Sequence, residues 1–186
     1  MASKEIDPCV KDCELYLPKD CNKLITPCRI LFIGSSGVGK TSLMIKLIEN
    51  MHNCFDKVFT RIILCIPKRT MILLKDTIDS FKKVFEYLIV REGLPDFENI
   101  DHNTENTLLV IEDMYLDCIE SPTFTTFTSF LSRRQKISVF LSTNNLTHPS
   151  RNNLSCRRNF QYNIVFFPHN DKNVLLLLGR NLYPSK

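Results

Sequence analysis

Apolar residues follow two alternating patterns along this chain. Short continuous apolar runs indicate buried strands, and stretches with apolar residues at every third or fourth position indicate amphipathic helices. The predicted strands are Arg29–Ile33, Phe59–Ile66, Leu108–Ile111, Ile137–Leu141 and Tyr162–Phe167. The predicted helices are Thr41–Met51, Asp76–Val90, Pro122–Leu131 and Asp171–Leu182, and the polar stretches 96–106 and Thr143–Arg158 are predicted loops. This alternation predicts an α/β fold with a mostly parallel central sheet that is covered by helices on both faces.

A length of 186 residues predicts a single domain. We divide the chain into a cysteine-containing N-terminal extension, residues 1–28, and a domain over residues 29–186. The extension holds Cys9, Cys13, Cys21 and Cys28, whose spacing is wider than that of most zinc sites. Free, buried thiols are the favoured interpretation, and a zinc site is the alternative.

The N-terminal segment and the apolar runs bear on where the protein acts. Residues 1–12 are polar and of mixed charge, unlike a secretory signal. No apolar run approaches the roughly 20 residues that span a bilayer. We therefore expect an intracellular protein in a reducing compartment, the cytoplasm or nucleus, with no membrane partner and no secretion.

The net charge of +4 is unevenly distributed. Residues 129–186 contain nine Lys or Arg and one Asp, a net charge of +8, whereas residues 1–128 carry −4. A basic C-terminal third attracts polyanions such as DNA. Composition alone slightly favours the alternative, a solvated charged face.

A phosphate-binding loop follows the first predicted strand. The run GSSGVGKT, Gly34–Thr41, matches G-x-x-x-x-G-K-[ST] at every fixed position and opens a predicted helix. We expect backbone N–H groups to surround the phosphates of ATP, Lys40 to reach the β- and γ-phosphates, and Thr41 to bind Mg²⁺. The predicted nucleotide-binding residues are Gly34, Ser35, Ser36, Gly37, Val38, Gly39, Lys40, Thr41 and Ser42.

Two carboxylates, Glu112 and Asp113, end the apolar strand that starts at Leu108. P-loop enzymes use such a pair to hold Mg²⁺ and to orient or deprotonate the attacking water. By position, Glu112 is the expected metal ligand and Asp113 the expected water-positioning residue. A pair of acids that merely begins a loop is the alternative.

Polar residues also follow the strand Ile137–Leu141. Asn144 is the candidate for sensing the γ-phosphate, and Thr143 is the second candidate; ordinary turn chemistry explains an Asn there equally well. ATPase rings often complete each site with an arginine from the neighbouring subunit. The candidates for that arginine are Arg133, Arg134, Arg157 and Arg158.

Three segments carry a resemblance to a known family. They are RILFI with GSSGVGKTSL, then LLVIEDMY, and last FTSFLSRRQKISVFLSTNNL followed by RRNFQYNIVFFPHNDKNVLLLLGRNLYP. The run from Gly34 to Pro184 resembles the FtsK–HerA class of P-loop ATPases. It is most similar to viral genome-packaging ATPases of the poxvirus type and to their relatives in Maverick/Polinton elements and adintoviruses. The resemblance implies a three-layer, RecA-like P-loop NTPase fold of the ASCE type, and it places Arg133 ahead of Arg157 as the trans-acting arginine.

The resemblance also implies a function. A chain of this kind would hydrolyse ATP with Mg²⁺, form a ring of five or six copies, and pump double-stranded DNA into a capsid through portal or vertex proteins. It would act in the host nucleus or cytoplasm where virions assemble.

Departures from the family pattern motivate a rival hypothesis. Glu112 stands where Asp is usual, Asn144 where Gln is usual, and Asn170 where Arg is common. The rival is a nucleotide-binding assembly or adaptor protein with weak or lost turnover. A small GTPase is set aside, because the base-binding NKxD motif is absent. A nucleoside kinase, with the Arg-rich segment 151–158 as a lid, is outweighed by the resemblance of the third segment.

Overall fold

The computed structural model describes residues 23–85, 87–100, 106–144 and 151–166, together with Leu176 and Gly179. The strands are β1 (Arg29–Ile33), β2 (Arg61–Ile66), β3 (Leu88–Glu92), β4 (Thr107–Ile111), β5 (Ile137–Thr143) and β6 (Tyr162–Val165). The helices are α1 (Lys40–Glu49), α2 (Met51–Cys54), α3 (Lys68–Leu73), α4 (Lys75–Val84), α5 (Tyr115–Glu120), α6 (Pro122–Thr126), α7 (Ser132–Arg134) and α8 (Arg151–Arg158). A π-helical turn, Phe127–Leu131, joins α6 to α7.

The strands form one sheet in the order β3-β2-β4-β5-β1-β6, and every adjacent pair is parallel. β5 lies between β1 and β4, with Ile33 opposite Thr143 and Ile111 opposite Leu141. The carboxyl ends of these three strands therefore meet at one edge of the sheet. This edge is where ligands bind in open α/β sheets.

Helices cover both faces of the sheet, because side chains alternate between the two faces along each strand. On one face, Ile30, Phe32 and Phe140 pack with the apolar residues of α1, α2 and α4. On the other face, Leu31, Ile33 and Leu141 pack with α5, α6, the π turn and α8. The predicted three-layer α/β architecture with a parallel sheet is confirmed.

The predicted helix Asp76–Val90 is wrong in its last part. α4 ends at Val84, and Leu88–Glu92 forms strand β3, which pairs with β2 through Leu64 and Val90. Leu88 and Ile89 continue the helical spacing of the preceding residues, so the periodicity alone extends the helix. The backbone hydrogen bonds of β2 and the β-branched Ile89 and Val90 favour the strand instead.

The predicted loop Thr143–Arg158 is also wrong in its second half, where Arg151–Arg158 forms α8. The residues that α8 buries include Asn153 and Cys156, so its buried side has no apolar stripe for sequence analysis to detect. α5 was not predicted either. Apart from Leu176 and Gly179, the predicted helix Asp171–Leu182 lies outside the described residues.

The last residues of the N-terminal extension pack against the domain. Leu24 pairs with Phe55 in an isolated parallel bridge, and the backbone N–H and hydroxyl of Thr26 both donate to the Asp56 carboxylate, at 2.7 and 2.9 Å. Cys28 is a free thiol, and burial raises its pKa to about 11. Cys9, Cys13 and Cys21 lie outside the described residues, so the zinc alternative stays open. Within the described ranges, no helix is both long and apolar enough to cross a bilayer.

Candidate nucleotide-binding site

The loop Gly34–Gly39 connects the carboxyl end of β1 to α1. Gly37 and Gly39 have φ angles of 79° and 96°, which other residues adopt only with strain. At Gly34 a side chain would collide, because an added Cβ would lie 2.8 Å from the Phe166 Cβ. Each of the three glycines in this loop therefore has either a positive φ or a neighbour too close for a side chain.

The first turn of α1 is suited to binding an anion. Its N-cap is Gly39, no side chain of the described residues caps the helix, and no acidic residue lies in its first turn. The first N–H groups of a helix lack intrahelical acceptors and carry the positive end of the helix dipole. Phosphate oxygens are the ligands that such a helix start accommodates.

Lys40 is buried at the centre of this loop, with 6% of its surface exposed. Its ammonium donates to the carbonyl oxygens of Gly34 and Ser35, each at 2.8 Å, and to Asn144 Oδ1 at 2.6 Å. Burial lowers the pKa of Lys40, while the charges of Glu112 and Asp113 oppose that shift. All three ammonium donors are therefore in use, so a phosphate must replace one of these acceptors to reach Lys40.

Thr41 and Glu112 are in direct contact. The Thr41 hydroxyl donates to Glu112 Oε1, and Glu112 Oε2 is buried with no hydrogen-bond partner among the described residues. Burial raises the pKa of Glu112, and the Thr41 hydrogen bond opposes the rise. A hydroxyl oxygen beside an unsatisfied carboxylate oxygen suits Mg²⁺, which binds one or two protein oxygens plus phosphates and water. These two residues fit the predicted metal site.

Asp113 leaves β4 by a sharp turn, with a φ of 58°. Its backbone N–H donates to Ser142 Oγ at 3.2 Å, and its Oδ2 accepts from the Thr70 hydroxyl at 3.1 Å. It borders an open cleft of about 390 Å³ whose walls include Asn144, Ser142 and Arg69. The acid pair is thus split: Glu112 faces Thr41, and Asp113 faces the cleft beside Asn144.

Arg133 does not lie near the phosphate loop of its own chain. It is exposed in α7, and its positive charge contributes, after burial, to the lowered pKa of Arg29 at the start of β1. At ~3.3 Å per strand residue, this position is about 15 Å from the loop at the other end of β1. Arg134 is exposed on the same short helix, and Arg157 and Arg158 lie on α8.

Three residues around Asp113 were missed by sequence reasoning. Thr70 and Arg69 lie on α3, and Ser142 lies on β5. Ser142 directly precedes the predicted sensor region and could have been considered with Thr143 and Asn144. Thr70 and Arg69 lie in no recognisable motif, and only the pairing of β2 with β4 brings them to the site.

Comparison with solved structures shows a likeness in fold. No family model matches the chain, and no curated protein matches it significantly. A solved structure, the cytoplasmic domain of EssC, matches 86% of this chain with a TM-score of 0.56 and 14% sequence identity. The match covers 35% of that chain, so this chain spans about a third of it. The likeness supports the P-loop NTPase fold: a parallel sheet with flanking helices.

Proposed function

We propose that this chain is the ATP-hydrolysing subunit of a DNA-packaging motor from a virus or a virus-derived element. One observation carries the enzymatic part: the contacts of Lys40 with Asn144 and of Thr41 with Glu112. These two contacts bring the phosphate-binding lysine, the metal ligands and the sensor candidate to one edge of the sheet. The structural likeness to the cytoplasmic domain of EssC supports only the fold on which this proposal builds.

Each residue then has one task in hydrolysis. The N–H groups of the loop and Lys40 bind the β- and γ-phosphates of ATP. Thr41 and Glu112 would hold Mg²⁺, whose contribution when bound would be to offset phosphate charge. Asp113, in the cleft, orients the attacking water and accepts its proton. Asn144 exchanges its contact with Lys40 for one with the γ-phosphate, so its position reports whether that phosphate is present.

The packaging part rests on the sequence. The segment from Phe127 to Leu146 resembles viral packaging ATPases, and residues 129–186 carry a net charge of +8 that suits a DNA-facing surface. In this proposal the chain forms a ring of five or six copies at a capsid portal or vertex. It acts where virions assemble, in the host nucleus or cytoplasm.

A second candidate is a nucleotide-binding assembly or adaptor protein with little turnover. The replacement of the usual Asp by Glu112 and of the usual Gln by Asn144 favours it. In the structure Glu112 nonetheless contacts Thr41, and Asn144 contacts Lys40.

The test is the rate of ATP hydrolysis at low salt, with and without double-stranded DNA, using Lys40→Ala as the blank and Asp113→Asn as the catalytic variant. We expect DNA to stimulate hydrolysis, and we expect each substitution to lower the rate at least about 10²-fold. Tight ATP binding without turnover above the blank would replace the motor with the assembly protein. Turnover that DNA does not change would leave an ATPase and remove the DNA-packaging role.

A further inference from the structure

We infer that Thr70 is a positioning residue for hydrolysis: its hydroxyl fixes the orientation of the Asp113 carboxylate. This inference rests on the proposed function. Thr70 lies on α3, which follows β2, and β2 pairs with β4, the strand that leads to Asp113. The Thr70 Oγ1 donates to Asp113 Oδ2 at 3.1 Å, and Thr70 is only 6% exposed.

The backbone of Asp113 explains why its side chain needs a partner. Asp113 is the second residue beyond β4, where the chain turns with a φ of 58°, and it is exposed to solvent. Its N–H is held by Ser142, which fixes the main chain but not the carboxylate. An exposed Asp side chain can exchange among its staggered χ1 rotamers and turn about χ2 unless another group holds it.

Thr70 supplies that restraint and leaves other acceptor positions of the carboxylate unoccupied. An ionised Asp offers about four acceptor positions, so one donated hydrogen bond leaves capacity for a water molecule. Hydrogen bonds to an ionised acceptor are about twice as strong as neutral ones. The main chain of Thr70 is held in a helix, because Leu74 N–H donates to the backbone carbonyl oxygen of Thr70 at 2.9 Å, so the backbone that carries the hydroxyl is fixed before substrate arrives.

Thr70 should affect the chemical step rather than nucleotide binding. It has no contact with Lys40 or Thr41 among its hydrogen bonds in the described part of the chain, and it acts only through Asp113. A misplacement of about 1 Å in a group that orients a reactant can cost ~10²-fold in rate. Loss of the hydroxyl should therefore lower kcat and leave KM and the Kd for ATP close to their original values.

The test compares Thr70→Val, which has the same shape without the hydroxyl, with Thr70→Ser, which keeps the hydroxyl. The expected kcat of Thr70→Val is about 10–100-fold below that of the natural protein, with KM for ATP within ~2-fold. Thr70→Ser should recover most of the rate. In the Asp113→Asn background, Thr70→Val should cause no further fall, because the group that it positions is already lost.

Thr128→Val is the matched control for losing a buried threonine hydroxyl. Thr128 is fully buried on the π turn, and its hydroxyl donates to Phe124 O at 3.0 Å, away from the cleft. We expect this variant to lose thermal stability and to keep the natural kcat. Thermal denaturation of each variant separates a slow enzyme from an unfolded one.

The outcomes separate this inference from the proposed function. If the natural protein hydrolyses no ATP above the Lys40→Ala blank, the proposed function fails and the role of Thr70 fails with it. If the natural protein is active and Thr70→Val is equally active, only the inference about Thr70 is overturned. Equal losses in Thr70→Val and Thr70→Ser, or a loss expressed in KM alone, would also overturn it.

Discussion

Glu112 combines two properties that oppose each other in the folded protein. It is 4% exposed, and its Oε2 has no hydrogen-bond partner among the described residues. A buried carboxylate charge without full compensation destabilises the folded state. In the proposed function the same unsatisfied oxygen would bind Mg²⁺, so the feature that lowers stability would also serve the metal site.

Replacing Glu112 with Gln should therefore stabilise the protein. The folded-state pKa of Glu112 is raised, so the free energy of unfolding of the natural protein falls as pH rises from the ordinary glutamate value near 4.5 through the raised pKa. Glutamine does not titrate. The Tm of Glu112→Gln should equal that of the natural protein below this pH window and should exceed it increasingly across the window. The final difference should be a few degrees, since ~1 kcal/mol corresponds to about 2–4 °C for a protein of this size.

The measurement is thermal denaturation from pH 4 to pH 8, repeated with MgATP. Glu92→Gln, at an exposed position on β3, is the control and should leave Tm nearly unchanged. MgATP should raise the Tm of Glu112→Gln less than that of the natural protein. A variant that is less stable than the natural protein at pH 8 would contradict the account of Glu112.

The residues of the candidate site differ in how far the sequence could reveal them. Lys40 and Thr41 stand in a motif with fixed spacing, and Glu112 and Asp113 stand at the end of an apolar run, so local patterns locate them. Thr70 and Ser142 have no such pattern. Their relation to Asp113 arises from strand pairing between segments that are distant in sequence.

At the scale of elements, strand prediction succeeded where apolar runs were bounded by turn residues. β1 and β4 contain continuous apolar runs that end before glycine or an acidic residue, and the apolar run of β5 is interrupted only by Ser138. β3 was not predicted as a strand, because its apolar residues extend the helical spacing of α4. α8 was not predicted as a helix, because its buried residues include Asn153 and Cys156. A buried polar residue interrupts the periodic spacing of apolar residues that indicates a helix.

The start of α6 offers a test of helix capping. Ser121 is the N-cap, its hydroxyl accepts from Phe124 N–H at 3.2 Å, and Pro122 occupies the first helical position. Ser121→Ala should cost about 1 kcal/mol, because it removes the acceptor for a helix N–H. Denaturant unfolding measures the loss, and Ser121→Asp should retain most of the stability.

ATP hydrolysis should be unchanged in both Ser121 variants, because Ser121 lines no part of the cleft described above. A fall in kcat with unchanged stability would show that α6 communicates with the site. Equal stability of the Ala and Asp variants would show that the cap contributes little.

At the scale of the whole molecule, the position of Arg133 restricts how it can act. It lies beside Arg29 at the amino end of the sheet, whereas Lys40 and Glu112 lie at the carboxyl end. An arginine side chain is too short to cover that distance. If Arg133 contributes to hydrolysis, it must do so in the site of another copy.

Mixing experiments test this expectation. Arg133→Ala should lower kcat at least tenfold, since a trans-acting arginine contributes about 10³-fold or more in related reactions. When the Arg133→Ala protein is mixed with the Lys40→Ala protein, part of the activity should return. The Lys40→Ala copies would supply Arg133 to neighbouring sites that still contain Lys40.

The double variant Lys40→Ala/Arg133→Ala is the control partner, and its addition should restore nothing. The measurement is ATP hydrolysis across mixing ratios at constant total protein. Recovery that is the same with both partners would contradict a trans role, and full activity of Arg133→Ala alone would remove Arg133 from catalysis.

The position of β5 between β1 and β4 also sets the order in which a nascent chain can acquire its site. β1 is synthesised first, but both of its neighbours, β5 and β6, are encoded from Ile137 onward. Until the ribosome has released that segment, β1 has no strand partner and the phosphate loop has no neighbouring acid strand held in place. Pairings between distant segments form slowly and leave open strand edges meanwhile. If the chain binds ATP as proposed, ATP would bind only late in biosynthesis and would stabilise chains that have completed β5 over shorter ones.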